Sequence, residues 1–132
     1  MTDKEEEGGE GMNRTVGLRP ALWVAGIYAI AVGVILHFPS LSVAVFDRPV
    51  TDVAVEAGWG SALVALGILV VAMASNVEKY GDLAAWLVLG LMVTTLDLVY
   101  FFVTNAYSMR TIIVPIIINA ILIAWIWSAR PK

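Results

Sequence analysis

Four long apolar segments, joined by short polar connections, constrain this chain more than any other feature of its sequence. The segments cover residues 21–38, 53–75, 83–104 and 109–128. A helix needs about 20 mainly apolar residues to cross roughly 30 Å of hydrocarbon. Short connections require consecutive helices to be antiparallel neighbours. The sequence therefore predicts an all-α fold, an antiparallel bundle of four transmembrane helices.

The composition agrees with a membrane protein. Hydrophobic residues make up 60% of the chain and charged residues 14%, whereas roughly a quarter of a soluble domain is charged. Five of the eleven acidic residues lie in the first ten positions. This Glu- and Gly-rich segment favours a disordered acidic tail over residues 1–19, ahead of a single transmembrane domain over residues 20–129. No basic patch is present, so we expect no nucleic-acid partner.

The distribution of lysine and arginine predicts the orientation of the spans, because cytoplasmic ends are enriched in these residues. With the N-terminus inside, six basic residues lie on the inner side and two on the outer side. The inner six are Lys4, Arg14, Arg19, Lys79, Arg130 and Lys132, and the outer two are Arg48 and Arg110. We therefore expect both termini to be cytoplasmic in a multi-pass protein of the cell (plasma or inner) membrane.

The reactive side chains are few. The chain has no cysteine and one histidine, which excludes thiolate catalysis, cysteine-ligated clusters and a multi-histidine metal site within one chain. No catalytic signature is present. We therefore expect no metal and no cofactor, and these features favour a non-catalytic protein over an enzyme.

Small and polar residues recur on one face of each span, at positions i, i+4, i+7 and i+11. Small residues let membrane helices approach closely, so these faces predict the inside of the bundle. The glycines assigned to helix packing are Gly26, Gly33, Gly60, Gly67 and Gly90. The fourth span carries Ile112, Ile116, Asn119 and Ile123 on one face.

Polar side chains near the outer ends of the spans form the candidate site. Counting from the turns brings them to neighbouring depths. The candidates for ligand or proton binding are Asp97, Glu56, His37, Asn119, Thr94, Tyr100 and Arg110. Asp97 lies about 10 Å below the end of its span, where a carboxylate costs at least about 2.5 kcal/mol and requires a partner, a proton or water.

Each candidate also has a structural interpretation. Asp97 could pin the third span to the fourth. Glu56 lies in the first turns of its helix, where the helix dipole favours an anion. Asn119 could join two helices, and Arg110 could mark the membrane boundary.

Glycine and proline motifs carry a family resemblance over residues 22–128. The motifs are His37-Phe38-Pro39, Phe46-Asp47-Arg48-Pro49, Glu56-Ala57-Gly58-Trp59-Gly60 and Leu66-Gly67. In this pattern the chain resembles the small four-helix membrane proteins of the DoxX-like and BphX-like group. The resemblance implies a four-helix bundle and, through DoxX, a membrane subunit of a quinone-linked oxidoreductase. It assigns no catalytic residue here.

Three functions fit these features. The first is a non-catalytic membrane subunit or accessory module that binds a lipid or quinone, with the bilayer, other membrane subunits, a second copy or a small hydrophobic ligand as partners. The second is a small oligomeric transporter or channel with Asp97 and Glu56 in an outward-facing polar cavity. The third is a membrane-embedded enzyme that uses His37, Glu56 and Asp97 for acid–base chemistry.

Overall fold

All regular structure in the computed structural model is helical over the part it describes, the backbone of residues 3–131 and the side chains of residues 17–131. The long helices are α1 (Asp3–Ile35), α3 (Val53–Ser75), α5 (Ala84–Val103) and α6 (Met109–Ala129). Shorter elements connect them: α2 (Pro39–Phe46), α4 (Val77–Tyr80) and the 3-10 helix η1 (Gly81–Leu83). Four segments are long and apolar enough to cross a membrane: Gly17–Ile35, Val53–Ser75, Val77–Val103 and Met109–Ala129. The all-α class and the four candidate spans are thus confirmed.

The first helix begins at Asp3 and so includes most of the acidic segment. Its membrane-spanning part begins at Gly17. The disorder expected for residues 1–19 stays a prediction, which limited proteolysis would test.

The first connection contains a helix that the sequence did not predict. Phe38 precedes a proline and is therefore excluded from helical backbone; its φ of −116° and ψ of 99° are extended. For this reason α1 ends at Ile35, three residues before the predicted limit of 38. Pro39 then suits the first position of α2, where its missing N–H is not needed. The helix ends at Phe46, and its C-cap residue Asp47 has a left-handed φ of 52°.

Four glycines bring the backbones of α1 and α3 into contact. A Cβ on Gly33 would lie 2.5 Å from the Gly60 carbonyl oxygen, and a Cβ on Gly26 would lie 2.9 Å from that of Gly67. No side chain fits at such distances, so glycine is required for this close approach. At this contact the lower-numbered glycine of α1, Gly26, lies against the higher-numbered glycine of α3, Gly67, and the higher-numbered Gly33 lies against the lower-numbered Gly60.

The buried core lies at the end of the molecule where α1 begins its span and α6 ends. Its apolar side chains come from α1, α3, α4, α5 and α6, and they include Leu18, Leu22, Val70, Ala84, Val88, Leu122 and Ile126. At the same end, a Cβ on Gly17 would lie 3.6 Å from the Cβ of Ala129. The first and last spans therefore meet at the ends nearest the chain termini.

The long helices pack in the spatial order α3, α1, α6, α5, with little contact between α3 and α5. The expectation that all consecutive spans are neighbours is therefore wrong for this pair. The reason lies in their connection, where α4 and η1 pack beneath α1 and α6. A Cβ on Gly81 would lie 3.2 Å from Pro131 and 3.6 Å from Leu18. The connection thus crosses the end of the bundle and keeps α3 and α5 apart.

Substitution of Gly33 by alanine should destabilise the protein, because the new Cβ would overlap the backbone of α3. We expect the free energy of unfolding to fall by about 1–3 kcal/mol. Titration with SDS, followed by tryptophan fluorescence, measures it. Gly58→Ala is the matched control, since nothing lies within 4 Å of a Cβ there and alanine favours the helix by up to about 1 kcal/mol. Equal stability of the two variants would contradict the close contact.

Candidate functional site: an apolar groove and a polar cluster

A cavity of about 890 Å³ opens along the side where α3 and α5 do not pack together. All four long helices line it, together with Arg48, Tyr80, Leu83 and Tyr107. Most of the lining is aliphatic, for example Val32, Leu36, Leu66, Val70, Leu91 and Leu122. We call this feature the α3–α5 groove. Its volume falls within the roughly 300–1,000 Å³ of small-molecule sites.

Two of the predicted polar candidates line the groove. Asn119 is 3% exposed and donates from Nδ2 to Thr95 Oγ1 at 3.2 Å. The hydroxyl of Thr94 donates to the Gly90 carbonyl at 3.0 Å, within α5. Asn119 therefore links α6 to α5 through Thr95. Tyr28 of α1 also lines the groove, and sequence reasoning missed it because a tyrosine within an apolar span has no distinguishing pattern.

Glu56 is the centre of a polar cluster at the end of the molecule where α2 and α3 meet. It is 7% exposed, accepts a hydrogen bond from the Ser42 hydroxyl at 3.0 Å, and forms an ion pair with Arg48. Ser42 is fully buried on α2. A carboxylate removed from water is stable only when it is paired and hydrogen-bonded. The cluster satisfies both requirements.

Sequence reasoning assigned Arg48 only to the membrane boundary and did not consider Ser42. A signal for Arg48 existed, because an arginine and a glutamate flank the start of α3. Ser42 could not be assigned to this cluster from the sequence, because the helix α2 that carries it was not predicted.

A second group of polar contacts ties the end of α2 to the start of α6. Arg110 lies 3.7 Å from the Asp47 carboxylate, with both side chains exposed. Ser108 caps α6 by accepting from the Thr111 backbone N–H, and its hydroxyl donates to Asp47 at 3.2 Å. Because the Arg110 pair is exposed, we expect it to contribute little to stability.

His37 lies between α1 and α3. Its Nδ1 is 2.8 Å from the Gly33 carbonyl oxygen, and its Nε2 is 3.1 Å from the Ser61 hydroxyl. A carbonyl only accepts, so Nδ1 carries a proton and donates it to Gly33. His37 is thereby engaged in helix packing and does not reach Glu56 through any described hydrogen bond.

Asp97 and Tyr100 lie on the exposed surface of α5. Tyr100 is 62% exposed and packs edge-on against Phe101. Asp97 makes no ion pair or side-chain hydrogen bond with any residue among 17–131. It lies six residues before the end of α5, about 9 Å at 1.5 Å per residue.

The polar face of the third span does not pack against another helix, although packing was expected for Gly90; Gly90 and Thr94 line the groove instead. Gly90, Thr94, Asp97 and Phe101 are all exposed, and nothing lies within 4 Å of a Cβ on Gly90. The buried residues of α5 are Ala84 and Val88. Helix α5 has two faces that could pack against a neighbouring helix, one of small and polar residues and one that contains Ala84 and Val88. The face with Ala84 and Val88 is the one that packs against α6.

The candidates therefore do not form one polar layer. Glu56 belongs to the cluster with Arg48 and Ser42, Asn119 and Thr94 line the groove, and Asp97 is exposed on α5 without lining the groove. No group of three metal-ligating side chains occurs within the described part of the chain.

Comparison with known proteins finds no matching family model, no matching curated protein and no matching solved structure. The resemblance to the DoxX-like and BphX-like group thus stays a prediction. The structure defines an all-α protein with four helices able to span a membrane, as expected of a multi-pass membrane protein.

Loss of the Glu56 carboxylate should strongly destabilise the protein, because it leaves Arg48 without its partner. For Glu56→Leu we expect a decrease of about 3 kcal/mol in the free energy of unfolding. The double variant Arg48→Leu/Glu56→Leu should recover most of this loss, since no uncompensated charge remains. Titration with SDS measures the free energy of unfolding of the wild type and of both variants.

Glu78→Leu serves as the control. Its ion pair with Arg19 is exposed, so the change should be below about 1 kcal/mol. A double variant no more stable than Glu56→Leu would show that uncompensated charge is not the cause.

Proposed function

We propose that this protein is a non-catalytic membrane module that binds an apolar ligand, a lipid or a quinone, in the α3–α5 groove. One observation carries the proposal: the side of the molecule between α3 and α5 is open over about 890 Å³ and is lined mainly by aliphatic side chains. In a bilayer such a groove is filled by an apolar chain, since empty space forfeits the dispersion energy of its lining.

The two carboxylates support a binding module more than a transporter or channel. Glu56 is engaged by Arg48 and Ser42. Asp97 is exposed on α5, and neither carboxylate is among the residues that line the groove.

We further propose that the four spans are antiparallel and that both termini are cytoplasmic. The opposed numbering at the Gly26–Gly67 and Gly33–Gly60 contacts and the proximity of Gly17 to Ala129 support the arrangement. The six-to-two distribution of basic residues supports the orientation.

Because the chain has no cysteine, Lys79→Cys and Ala106→Cys introduce single thiols. An impermeant reagent on intact cells should label only Ala106→Cys, and the reverse pattern would invert the topology.

We also infer that another membrane protein, a second copy or a different subunit, contacts α5 at Asp97, beyond the part of the helix that lines the groove. Charged residues at membrane depth nearly always face protein or a water-filled cavity, whereas Asp97 has no partner among residues 17–131. The surrounding surface is apolar, with Val93 53% exposed and Leu96 68% exposed.

A photo-crosslinking side chain at Val93, one turn from Asp97, should capture a protein in native membranes. Asp97→Leu should reduce that capture at least about tenfold, the effect of losing about 1.4 kcal/mol, because the partner loses its hydrogen bond. The same crosslinker at Trp59, 66% exposed on α3, is the control and should be unaffected by Asp97→Leu. Capture of lipid alone at Val93 would contradict a protein partner.

Gly90→Leu should reduce the amount of bound apolar ligand. Because nothing lies within 4 Å of a Cβ at Gly90 and this residue lines the groove, the leucine side chain fills ligand space without disturbing the fold. We expect roughly tenfold less ligand to remain after purification, consistent with a loss of about 1.4 kcal/mol. Native mass spectrometry measures the retained ligand. Gly58→Leu is the matched control, since Gly58 is equally unobstructed and does not line the groove. Equal retention by the two variants would refute groove binding.

A further inference from the structure

We propose that the groove selects ligands with an uncharged, hydroxyl-bearing head on an apolar body, and that this head lies halfway across the membrane against Tyr28, Thr94 and Asn119. The inference rests on the proposed function, because it requires that the groove be occupied. It adds the chemical class of the ligand and the depth of its polar group.

The three polar residues come from three helices and lie at similar depth. Tyr28 is within the span Gly17–Ile35, Thr94 is near the middle of α5, and Asn119 is at the middle of α6. At 1.5 Å per residue, Asn119 is about 15 Å from either end of its helix. All three line the groove. A few convergent polar groups in an apolar pocket are typical of sites that orient a ligand.

The orientation of the Asn119 amide is fixed by its neighbour. The Thr95 hydroxyl donates its only proton to the Leu91 carbonyl at 2.8 Å, so Thr95 Oγ1 can only accept from Asn119. The amide nitrogen must therefore face Thr95, and the carbonyl oxygen Oδ1 faces away from it. Oδ1 accepts no hydrogen bond from the described residues, and none of their fully enclosed side-chain polar atoms lacks a partner. Oδ1 consequently opens onto the groove that Asn119 lines.

Tyr28 and Thr94 add unused hydrogen-bonding capacity. Tyr28 is half-buried, and its hydroxyl makes no hydrogen bond to any described residue. Thr94 uses its proton on the Gly90 carbonyl, which leaves its oxygen free to accept. The hydrocarbon core holds no water to satisfy these groups. A ligand hydroxyl can accept from Tyr28 and donate to either Asn119 or Thr94, two hydrogen bonds that a pure hydrocarbon cannot make.

The charges near the groove argue against an ionic head at this depth. Arg48, which lines one end, is neutralised by Glu56. None of the three mid-depth residues is charged, and an unpaired ion there would cost at least about 60-fold in affinity on insertion scales. A phospholipid head must stay at the membrane surface. An alcohol or phenol on a long apolar body fits both the lining and the depth.

Photolabelling of the full chain in phosphatidylcholine liposomes tests this inference with two matched probes, hexadecanol and hexadecane, each carrying a diazirine in the chain. The wild type should bind the alcohol more tightly than the hydrocarbon. Tyr28→Phe should weaken alcohol binding about fivefold, the usual effect of one lost hydrogen bond, and Thr94→Val should weaken it by up to the same factor, because Asn119 remains as the second acceptor. Both should leave hydrocarbon binding unchanged. Tyr100→Phe removes an exposed tyrosine hydroxyl outside the groove and should change neither.

The outcomes separate the two proposals. Equal binding of the two probes, or equal weakening of both by Tyr28→Phe, would overturn the selection of a hydroxyl head and leave groove binding intact. If Gly90→Leu leaves labelling by the hydrocarbon unchanged, the groove is not the binding site and both proposals fail. Weakening confined to the alcohol in Tyr28→Phe and Thr94→Val supports the inference.

Discussion

The backbone contact between α1 and α3 determines where every other span can lie. With Gly33 against Gly60 and Gly26 against Gly67, α3 occupies one side of α1 at a distance that excludes side chains. The remaining contact surface of α1 goes to α6, and α5 joins the molecule through α6. The helices consequently form an open arc in which α3 and α5 are the free ends. The groove is the inner side of that arc.

The helices are connected at both ends of the arc, by polar contacts at one end and by α4 and η1 at the other. The side between α3 and α5 stays open. Glu56, Arg48 and Ser42 fix α2 and the following connection onto α3, and Ser108 and Asp47 join that connection to α6. At the opposite end, α4 and η1 cross beneath α1 and α6. Between these ends the polar members of the lining are Tyr28, Thr94 and Asn119. The charges therefore hold the helices together at the ends, and uncharged groups face the proposed ligand.

The spans could be predicted from sequence because hydrophobic length is a local property that a bilayer imposes on any helix. The spacing of Gly26, Gly33, Gly60 and Gly67 is likewise the local property that the α1–α3 contact uses. The exposed face of α5 could not be predicted, because the same spacing of Gly90, Thr94 and Asp97 gives no information on which neighbour is present. The helix α2 was not predicted, because eight residues are too few for a periodic pattern. The hydrogen bond from Ser42 of α2 to Glu56 could therefore not be predicted either.

The central claim is that an apolar ligand, and not a direct helix contact, occupies the space between α3 and α5. Methyl NMR of Leu66 on α3 and Leu91 on α5, recorded in nanodiscs of protonated lipid with the protein otherwise deuterated, tests it most directly. The account predicts strong nuclear Overhauser effects from lipid or ligand chains to both leucines and none between them. A strong effect between Leu66 and Leu91, with none from apolar chains, would contradict it.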